Sequence, residues 1–356
     1  MQIIDNKALL LRTRSPEKYS IIPKSKVIQN LGDGMHEVAV HWGLDEARVL
    51  RNLGVKKVPS PINGRYNYPG RFKPFDHQRE TAAFLTFNRR GFVFSEPGTG
   101  KTLSALWAAD YLMELGEVRR CLILCPLSIM TSAWLQDLNN SIIHRSAIVA
   151  HHTQAARRVE MIRGGYEFVI TNYDGLNLVG DEIIRDGTFD LIIVDEANAY
   201  KNVGTRRFKS LQRILTPKTL LWMMTGTPAA QSPLDAYGLA KLVNPEQVPR
   251  FFTGWRDKVM NKLTQFKWGA KITAAQDVFD ALQPAIRFTK AECLDLPPVT
   301  TTTREVPLTP QQAKYYRMLK DQMIMQAAGE TITAVNAAAG VNKLLQISAG
   351  AAYTDN

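Results

Sequence analysis

Residues 95–102 read Ser-Glu-Pro-Gly-Thr-Gly-Lys-Thr, and this stretch restricts the possible folds more than any other part of the chain. An apolar run at 91–94 precedes it, and residues 103–109 carry apolar side chains at helical spacing. A strand, a glycine-bearing turn and a helix start form the context in which such a turn binds phosphate. The turn directs backbone N–H groups at an anion, Lys101 can reach the outer phosphates, and the Thr102 hydroxyl can ligate Mg²⁺. Ser95 stands where the usual pattern has its first glycine, so a plain glycine turn with an exposed lysine is the alternative.

The composition is that of an ordinary folded protein with a basic surface. The chain has 356 residues, of which 45% are hydrophobic and 22% charged, so it is long enough for two domains. Its formal net charge of +11 favours a polyanionic partner, above all nucleic acid. Three cysteines without disulfide or zinc spacing, the lack of a secretory leader and the lack of a long apolar run together predict a soluble, intracellular (cytoplasmic) protein with no membrane partner.

The order of the patterns predicts an α/β fold in three parts. Between 91 and 244, short apolar runs alternate with helical stretches, which is typical of a mostly parallel sheet between helices. We expect this lobe to span 69–245, after a small N-terminal α+β module at 1–68 and before a helical extension at 246–356. The basic and aromatic residues at 250–271 would either extend a nucleic-acid track or form a solvated helical face, and the role of 1–68 stays open.

Residues 189–198 (Phe-Asp-Leu-Ile-Ile-Val-Asp-Glu-Ala-Asn) end an apolar strand with two adjacent carboxylates. Such a pair at the end of a buried strand is costly unless a cation or a reacting water uses it. Asp195 suits coordination of Mg²⁺, mostly through water, and Glu196 suits orienting and deprotonating the water that attacks a terminal phosphate. An exposed acidic turn is the alternative, and the phosphate-type loop earlier in the chain argues against it.

Residues 220–228 form a third stretch, an apolar strand that ends in Thr225-Gly226-Thr227-Pro228. The hydroxyls of Thr225 and Thr227 could hydrogen-bond the acidic pair and report the state of a bound nucleotide. A strand followed by Gly and Pro is also an ordinary turn. Its position after the acidic strand favours the functional interpretation.

In this order the three stretches resemble the motifs of the superfamily two helicase-like ATPases, and among them the Swi/Snf-type DNA translocases. The resemblance covers about 72–350 and implies a RecA-like P-loop NTPase lobe that uses ATP and Mg²⁺. Gln78 lies where the family has its adenine-recognising glutamine, with Phe75 placed to pack on the base. The implied ATP-binding residues are Phe75, Gln78, Glu96, Pro97, Gly98, Thr99, Gly100, Lys101 and Thr102. Glu196 and Lys101 are the implied catalytic residues, and Thr102 and Asp195 the implied metal ligands.

Other motifs of the family imply DNA contacts and coupling. The implied contacts to the DNA backbone come from two segments, Pro126-Leu127-Ser128 and Thr171-Asn172. The implied coupling residues, which link nucleotide and DNA, are Asn198, Thr225, Gly226 and Thr227. Three positions depart from the family: Ser95 replaces an aspartate, Asn198 replaces a histidine and cannot titrate, and Arg287-Phe288-Thr289-Lys290 resembles Arg-Arg-x-Lys with its second arginine lost.

The resemblance implies the first motor lobe of a DNA-dependent ATPase, which couples ATP hydrolysis to movement on, or remodelling of, DNA held by its backbone, with double-stranded DNA favoured. The expected partner is a second RecA-like lobe, in cis or in trans, because the sequence to Asn356 holds no second strand–helix series and no arginine-finger motif. We therefore expect the chain alone to hydrolyse ATP slowly. A strand-separating helicase or restriction-type translocase of the same superfamily is one alternative, and a non-catalytic DNA-binding scaffold is another.

Overall fold

The computed structural model describes residues 1–229, 231–265, 267–293, 300–329 and 334–350. The chain divides into two compact units, Met1–Leu296 and Pro297–Asn356. The three-part division expected from the sequence rests on pattern alone and stays a prediction. Within the described residues, no helix combines the length and the apolar composition needed to cross a bilayer.

The chain begins with a small antiparallel sheet. Its strands are β1 (Gln2–Ile4), β2 (Ala8–Thr13), β3 (Ser25–Gly32) and β4 (Met35–His41). They lie in the order β1-β2-β4-β3. Helix α1 (Leu44–Asn52) buries Ala47 and Leu50 in one core with Leu9 and Val40 of the sheet. Two helices then lead to the main sheet, α2 (Ile62–Arg65) and α3 (Asp76–Phe87).

Seven parallel strands form the main sheet, which confirms the predicted α/β fold. The remaining strands in chain order are β5 (Arg90–Val93), β6 (Arg120–Cys125), β7 (Ala147–Val149), β8 (Phe168–Asn172), β9 (Phe189–Val194), β10 (Leu220–Met224), β11 (Met260–Lys262), β12 (Trp268–Ala270) and β13 (Ala285–Ile286). The sheet order is β13-β5-β10-β9-β6-β8-β7, and β11 pairs with β12 in a separate hairpin. The sequence pattern did not predict the hairpin or the edge strand β13, because two or three residues are too few to show a period.

Helices cover both faces of this sheet because its strands are apolar on both sides. Leu122 and Leu124 of β6 face one core, and Ile123 between them faces the other. The helices of this part are α4 (Lys101–Glu114), α5 (Gln136–Ser141), α6 (Ala155–Arg163), α7 (Tyr173–Asp186), α8 (Arg206–Ile214), α9 (Ala236–Val243), α10 (Phe252–Val259), α11 (Ala274–Ala281) and α12 (Lys290–Cys293). The second unit contains α13 (Pro310–Gly329) and α14 (Ala334–Ser348).

The strand register aligns the carboxyl ends of the central strands. Val194 at the end of β9 lies opposite Leu124 of β6 and Met223 of β10. Met224 at the end of β10 lies opposite Val93 of β5. The turns that follow these strands therefore leave the sheet at one edge, where ligand-binding groups of parallel sheets collect.

Candidate functional site

The stretch 95–102 forms a turn between β5 and α4. Gly98 and Gly100 have φ angles of +86° and +76°, which glycine adopts without the steric penalty of a side chain. Inside the turn, the buried Thr99 donates its hydroxyl to the Glu96 carbonyl over 2.8 Å. Helix α4 begins directly afterwards at Lys101. The turn therefore has the predicted strand–loop–helix arrangement, with backbone N–H groups at the amino end of a 14-residue helix.

Lys101 reaches back across the turn from the start of α4. Its ammonium donates to the carbonyl of Ser95 over 2.7 Å and to that of Glu96 over 3.2 Å. Burial lowers the pKa of this ammonium, and the negative charges of Asp195 and Glu196 oppose the shift. The lysine of the first stretch and the carboxylates of the second thus lie close enough to affect one another.

Asp195 lies at the end of β9 and is almost fully buried. Its Oδ2 accepts from the indole N–H of Trp134 over 3.0 Å, and its Oδ1 accepts from the backbone N–H of Glu196 over 3.0 Å. Burial raises the pKa of Asp195, against the lowering effect of these two donors and of Lys101. Two donors therefore fix the carboxylate in one orientation. Trp134 follows one of the predicted DNA-contact motifs, and no sequence pattern indicated that it contacts Asp195.

Glu196 follows directly and has a left-handed backbone with φ of +46°. A non-glycine residue in this conformation costs about 1–3 kcal/mol, and such strain clusters at functional sites. Its side chain is exposed, unlike that of Asp195. Partial desolvation of the carboxyl by the surrounding turn, and then the charge of Asp195, raises the pKa of Glu196, while Lys101 and a hydrogen bond with Thr225 lower it. The geometry suits a carboxylate that can exchange a proton at the edge of the sheet.

Asn198 connects the acidic turn with the turn after β10. Its Nδ2 donates to the Thr227 carbonyl over 2.8 Å and to the Thr225 hydroxyl over 3.2 Å. Within the described residues its Oδ1 is buried and has no hydrogen-bond partner. Both hydroxyls were predicted to contact the acidic pair. The Thr225 hydroxyl forms a hydrogen bond with Glu196 directly, whereas the Thr227 hydroxyl is connected to the acidic turn through Asn198.

Gly226 packs against the phosphate-type loop. A Cβ at this position would lie 2.9 Å from Cδ of Pro97. The neighbouring Thr225 is fully buried and donates its backbone N–H to the Val93 carbonyl over 3.0 Å. All three stretches singled out in the sequence therefore meet in one place.

Gln78 and Phe75 lie at the start of α3, beside the same loop. The Oε1 of Gln78 accepts the backbone N–H of Phe75 over 2.9 Å, and its Nε2 contacts Gly100. The His77 ring, which sequence reasoning missed, donates from Nε2 to the Thr99 carbonyl over 2.9 Å. Phe75 is 60% exposed and stacks on His77, with ring centroids 5.7 Å apart. These rings and Phe288 line a cleft of about 560 Å³.

Ser95 and Glu96 bind the chain segment that follows β13. The Ser95 hydroxyl accepts the backbone N–H of Phe288 over 3.1 Å, and the Glu96 N–H donates to the Phe288 carbonyl over 3.0 Å. The Glu96 carboxylate accepts the backbone N–H of Lys290 over 2.9 Å. The hydroxyl at the position of the family's aspartate is thus used as a hydrogen-bond acceptor. Only the residual match of 287–290 to Arg-Arg-x-Lys pointed to this segment.

The predicted DNA contacts differ in accessibility. Leu127 and Ser128 are exposed after β6, and Pro126 is half-buried. Asn172 is half-buried at the N-cap of α7, and its Oδ1 accepts from Arg158 over 3.2 Å. Thr171, in contrast, is fully buried and donates its hydroxyl to the Ala150 carbonyl over 3.1 Å, so this side chain does not face a ligand at the surface.

Fold and site together define a RecA-like P-loop lobe. The family model described as "SNF2-related domain" matches residues 36–349. Since the match spans most of the sequence, the chain belongs to the SNF2-related domain family, as its resemblance to Swi/Snf-type proteins implied.

The chain is also similar to several named proteins and to a solved structure. "Putative protein p41" of Acyrthosiphon pisum secondary endosymbiont phage 1 is 24% identical over 80% of this chain and 65% of its own length. "Chromodomain-helicase-DNA-binding protein 8" of Homo sapiens is 25% identical over 75% of this chain and 11% of its own length. The "Sulfolobus solfataricus SWI2/SNF2 ATPase core in complex with dsDNA" shares the fold, with a TM-score of 0.55, 22% identity and coverage of 79% of this chain and 59% of that one. This chain spans less than two thirds of each.

Proposed function

We propose that this chain is the ATP-binding motor lobe of a DNA-dependent ATPase that moves on, or remodels, DNA. The observation that carries the proposal is the convergence of Lys101, Asp195, Glu196 and the Thr225–Thr227 turn at one edge of a parallel sheet. Membership of the SNF2-related domain family supports it.

The phosphate loop and its lysine are the proposed binding groups for the nucleotide. The backbone N–H groups of the turn and the Lys101 ammonium bind the β- and γ-phosphates. Phe75 and Gln78 hold the adenine at the cleft beside them, where Phe75 offers an exposed ring face. Because Lys101 now donates to two carbonyls of its own loop, we expect it to exchange these bonds for phosphate oxygens.

The residues present fit a Mg²⁺ ion. Mg²⁺ prefers oxygen ligands and is held by one or two protein groups together with phosphates and water. Thr102 and Asp195 supply a hydroxyl and an oriented carboxylate. Within the described residues there is no group of three or more His, Cys, Asp or Glu side chains arranged to hold a metal by themselves. Bound Mg²⁺ would neutralise charge on the β- and γ-phosphates.

Glu196 is the proposed base for hydrolysis. The attacking water forms a bond to the γ-phosphorus and gives a proton to the Glu196 carboxylate, and the β–γ bridging oxygen leaves with ADP. Asn198, Thr225, Gly226 and Thr227 are the proposed coupling residues, because their hydrogen bonds and packing join the acidic turn, the β10 turn and the phosphate loop.

DNA binding is proposed through backbone phosphates. Pro126, Leu127, Ser128 and Asn172 are the accessible residues of the two predicted motifs, and the net charge of +11 supports a polyanionic partner. Thr171 would act through its place in β8 beside Asn172 rather than through its buried hydroxyl. A second RecA-like lobe, in cis or in trans, would supply the arginine fingers that raise the rate by about 10³–10⁵.

An ATPase assay of residues 1–356 with and without duplex DNA tests the proposal. We expect weak ATP turnover that rises when a second lobe is added, and none in Lys101→Ala. Turnover that responds to single-stranded DNA alone would favour a strand-separating helicase. A non-catalytic scaffold would be favoured by two results together: the unaltered chain does not bind ATP, and Lys101→Ala binds DNA as tightly as the unaltered chain. Robust DNA-stimulated turnover by the 356 residues alone would contradict the need for a second lobe.

A further inference from the structure

Residues 284–290 run beside β5 and the phosphate loop. Phe92 donates its backbone N–H to the Pro284 carbonyl over 3.0 Å, and Phe94 donates to the Ile286 carbonyl over 2.8 Å. The ladder continues past the end of the strand, where Glu96 donates to the Phe288 carbonyl over 3.0 Å. The hydrogen bonding of this segment therefore extends into the loop itself.

Two side chains of the loop also bind the backbone of residues 284–290. The Ser95 hydroxyl, which is almost fully buried, accepts the Phe288 N–H over 3.1 Å. The Glu96 carboxylate accepts the Lys290 N–H over 2.9 Å. Hydrogen bonds to a charged acceptor are the stronger kind. The backbone of Lys290 is thus held at a defined position beside the loop.

This position brings the Lys290 side chain to the tip of the loop. A Cβ on Gly98 would lie 3.4 Å from Cε of Lys290 and 3.9 Å from its Nζ. Gly98 is one of the two left-handed glycines whose conformation shapes the turn. The Lys290 ammonium therefore lies beside the turn at Gly98, whereas the Lys101 ammonium donates to the Ser95 and Glu96 carbonyls.

Among the described residues, the Lys290 charge has no protein partner at this position. Within the part of the chain that the structure describes, its ammonium forms no ion pair. The nearby Glu96 carboxylate is already bonded to the Lys290 backbone. Lys290 also adds to the lowering of the Lys101 pKa, so the two ammonium groups repel each other across the loop. An anion between them would relieve this repulsion.

We propose that Lys290 is a second phosphate-binding lysine, which contacts the terminal phosphates of a bound nucleotide at Gly98. This inference rests on the proposed ATP binding. Ser95 and Glu96 act as positioning residues, since they hold the segment that carries Lys290.

Binding of a fluorescent ATP analogue with Mg²⁺ to the 356-residue chain tests the inference. Lys290→Ala keeps the backbone N–H that docks the segment and removes only the ammonium, so we expect about tenfold weaker binding, the lower end for a charge-assisted hydrogen bond. Lys290→Arg should restore most of the affinity. Lys209→Ala, which removes an exposed lysine of α8, is the matched control and should bind like the unaltered chain.

A double-mutant cycle separates positioning from contact. If Glu96 acts through Lys290, the double variant Glu96→Ala/Lys290→Ala should bind the ATP analogue as tightly as whichever single variant has the lower affinity. Fully additive losses would overturn the positioning role. Equal losses in Lys290→Ala and Lys290→Arg, or no loss in either, would overturn the phosphate contact while ATP binding stands. Failure of the unaltered chain to bind the analogue would instead overturn the proposed function, and this inference with it.

Discussion

The indole N–H of Trp134 donates to the Oδ2 of Asp195 over 3.0 Å, and both groups are buried. Trp134 lies in a helical segment, Met130–Leu135, that comes after β6, and Asp195 directly follows β9. The contact orients the proposed metal ligand and compensates part of the cost of burying its charge.

Replacement of Trp134 by Phe should therefore weaken Mg²⁺ binding, so that a higher Mg²⁺ concentration is needed to support nucleotide binding. Loss of a donor to a buried carboxylate should also lower the free energy of unfolding by about 1.5–3 kcal/mol. Titration of Mg²⁺ at fixed nucleotide and urea unfolding measure the two effects. Trp107→Phe is a matched control, because the Trp107 indole donates to the Pro69 carbonyl away from the site. Equal Mg²⁺ dependence in both variants would contradict the role of Trp134.

As the pH is lowered, ATP hydrolysis should be lost at a pH above the ordinary pKa of a glutamate. Partial desolvation of its carboxyl and the charge of Asp195 raise the pKa of Glu196 above the ordinary value of a glutamate, and only the carboxylate can accept a proton. The rate should thus rise with pH through this raised pKa. Glu196→Gln should bind ATP but lower turnover by about 10²–10⁴-fold. A pH–rate profile at saturating ATP checks the first point, and an unshifted profile would argue against Glu196 as the base.

Asn198→Ala should separate nucleotide binding from its effect on DNA. The change removes the donor to Thr225 and Thr227, which join the two turns, and should cost about 0.5–1.5 kcal/mol of stability for each net hydrogen bond. ATP affinity should be nearly unchanged, whereas the difference in duplex affinity with and without an ATP analogue should shrink. Asn177→Ala on α7, which loses one contact with Ser210, is the control. A retained difference in Asn198→Ala would exclude this route of coupling.

Gly226→Ala should displace the phosphate loop. The added Cβ would lie 2.9 Å from Cδ of Pro97, closer than van der Waals contact allows, and overpacking of this kind costs about 1–3 kcal/mol. We expect lower thermal stability together with weaker ATP binding. Gly204→Ala offers a comparison at an exposed site, where the nearest atom belongs to the side chain of Asn202. Normal ATP affinity in Gly226→Ala would mean that the loop tolerates the shift.

Ser128→Glu should weaken duplex binding by about fivefold, because it places a negative charge where a DNA phosphate is proposed to lie. The salt dependence of the affinity should change as well. Ser20→Glu introduces the same charge at an exposed position of the N-terminal part and should have little effect. Fluorescence anisotropy with a labelled duplex at two salt concentrations provides the measurement, and equal losses in both variants would point to a nonspecific effect of net charge.

Much of the fold could be predicted from local patterns. The apolar runs that became β6, β8, β9 and β10 are buried on both faces, so they show the near-continuous hydrophobicity of a parallel sheet. The glycines and Lys101 of the phosphate loop, and the acidic pair after β9, are short contiguous signals whose chemistry depends on neighbours in the sequence. These signals could therefore be found from the sequence alone.

Contacts between distant parts of the chain could not be found in this way. Trp134 with Asp195, His77 with Thr99, and Lys290 with Glu96 join residues whose spacing carries no period and no motif by itself. The buried position of Thr171 is equally invisible, since a threonine at the end of a strand can face either solvent or core.

The amino-acid sequence by itself determined which groups we propose for phosphate binding, metal binding and proton transfer, because those proposals rest on residue types and short spacings. Only the tertiary structure decided which residues surround those groups. Register and packing brought the segment of Lys290 alongside the phosphate loop, although nearly two hundred residues separate Glu96 from Lys290 along the chain. Hydrogen bonds across such distances depend on the assembled sheet, which no local pattern encodes.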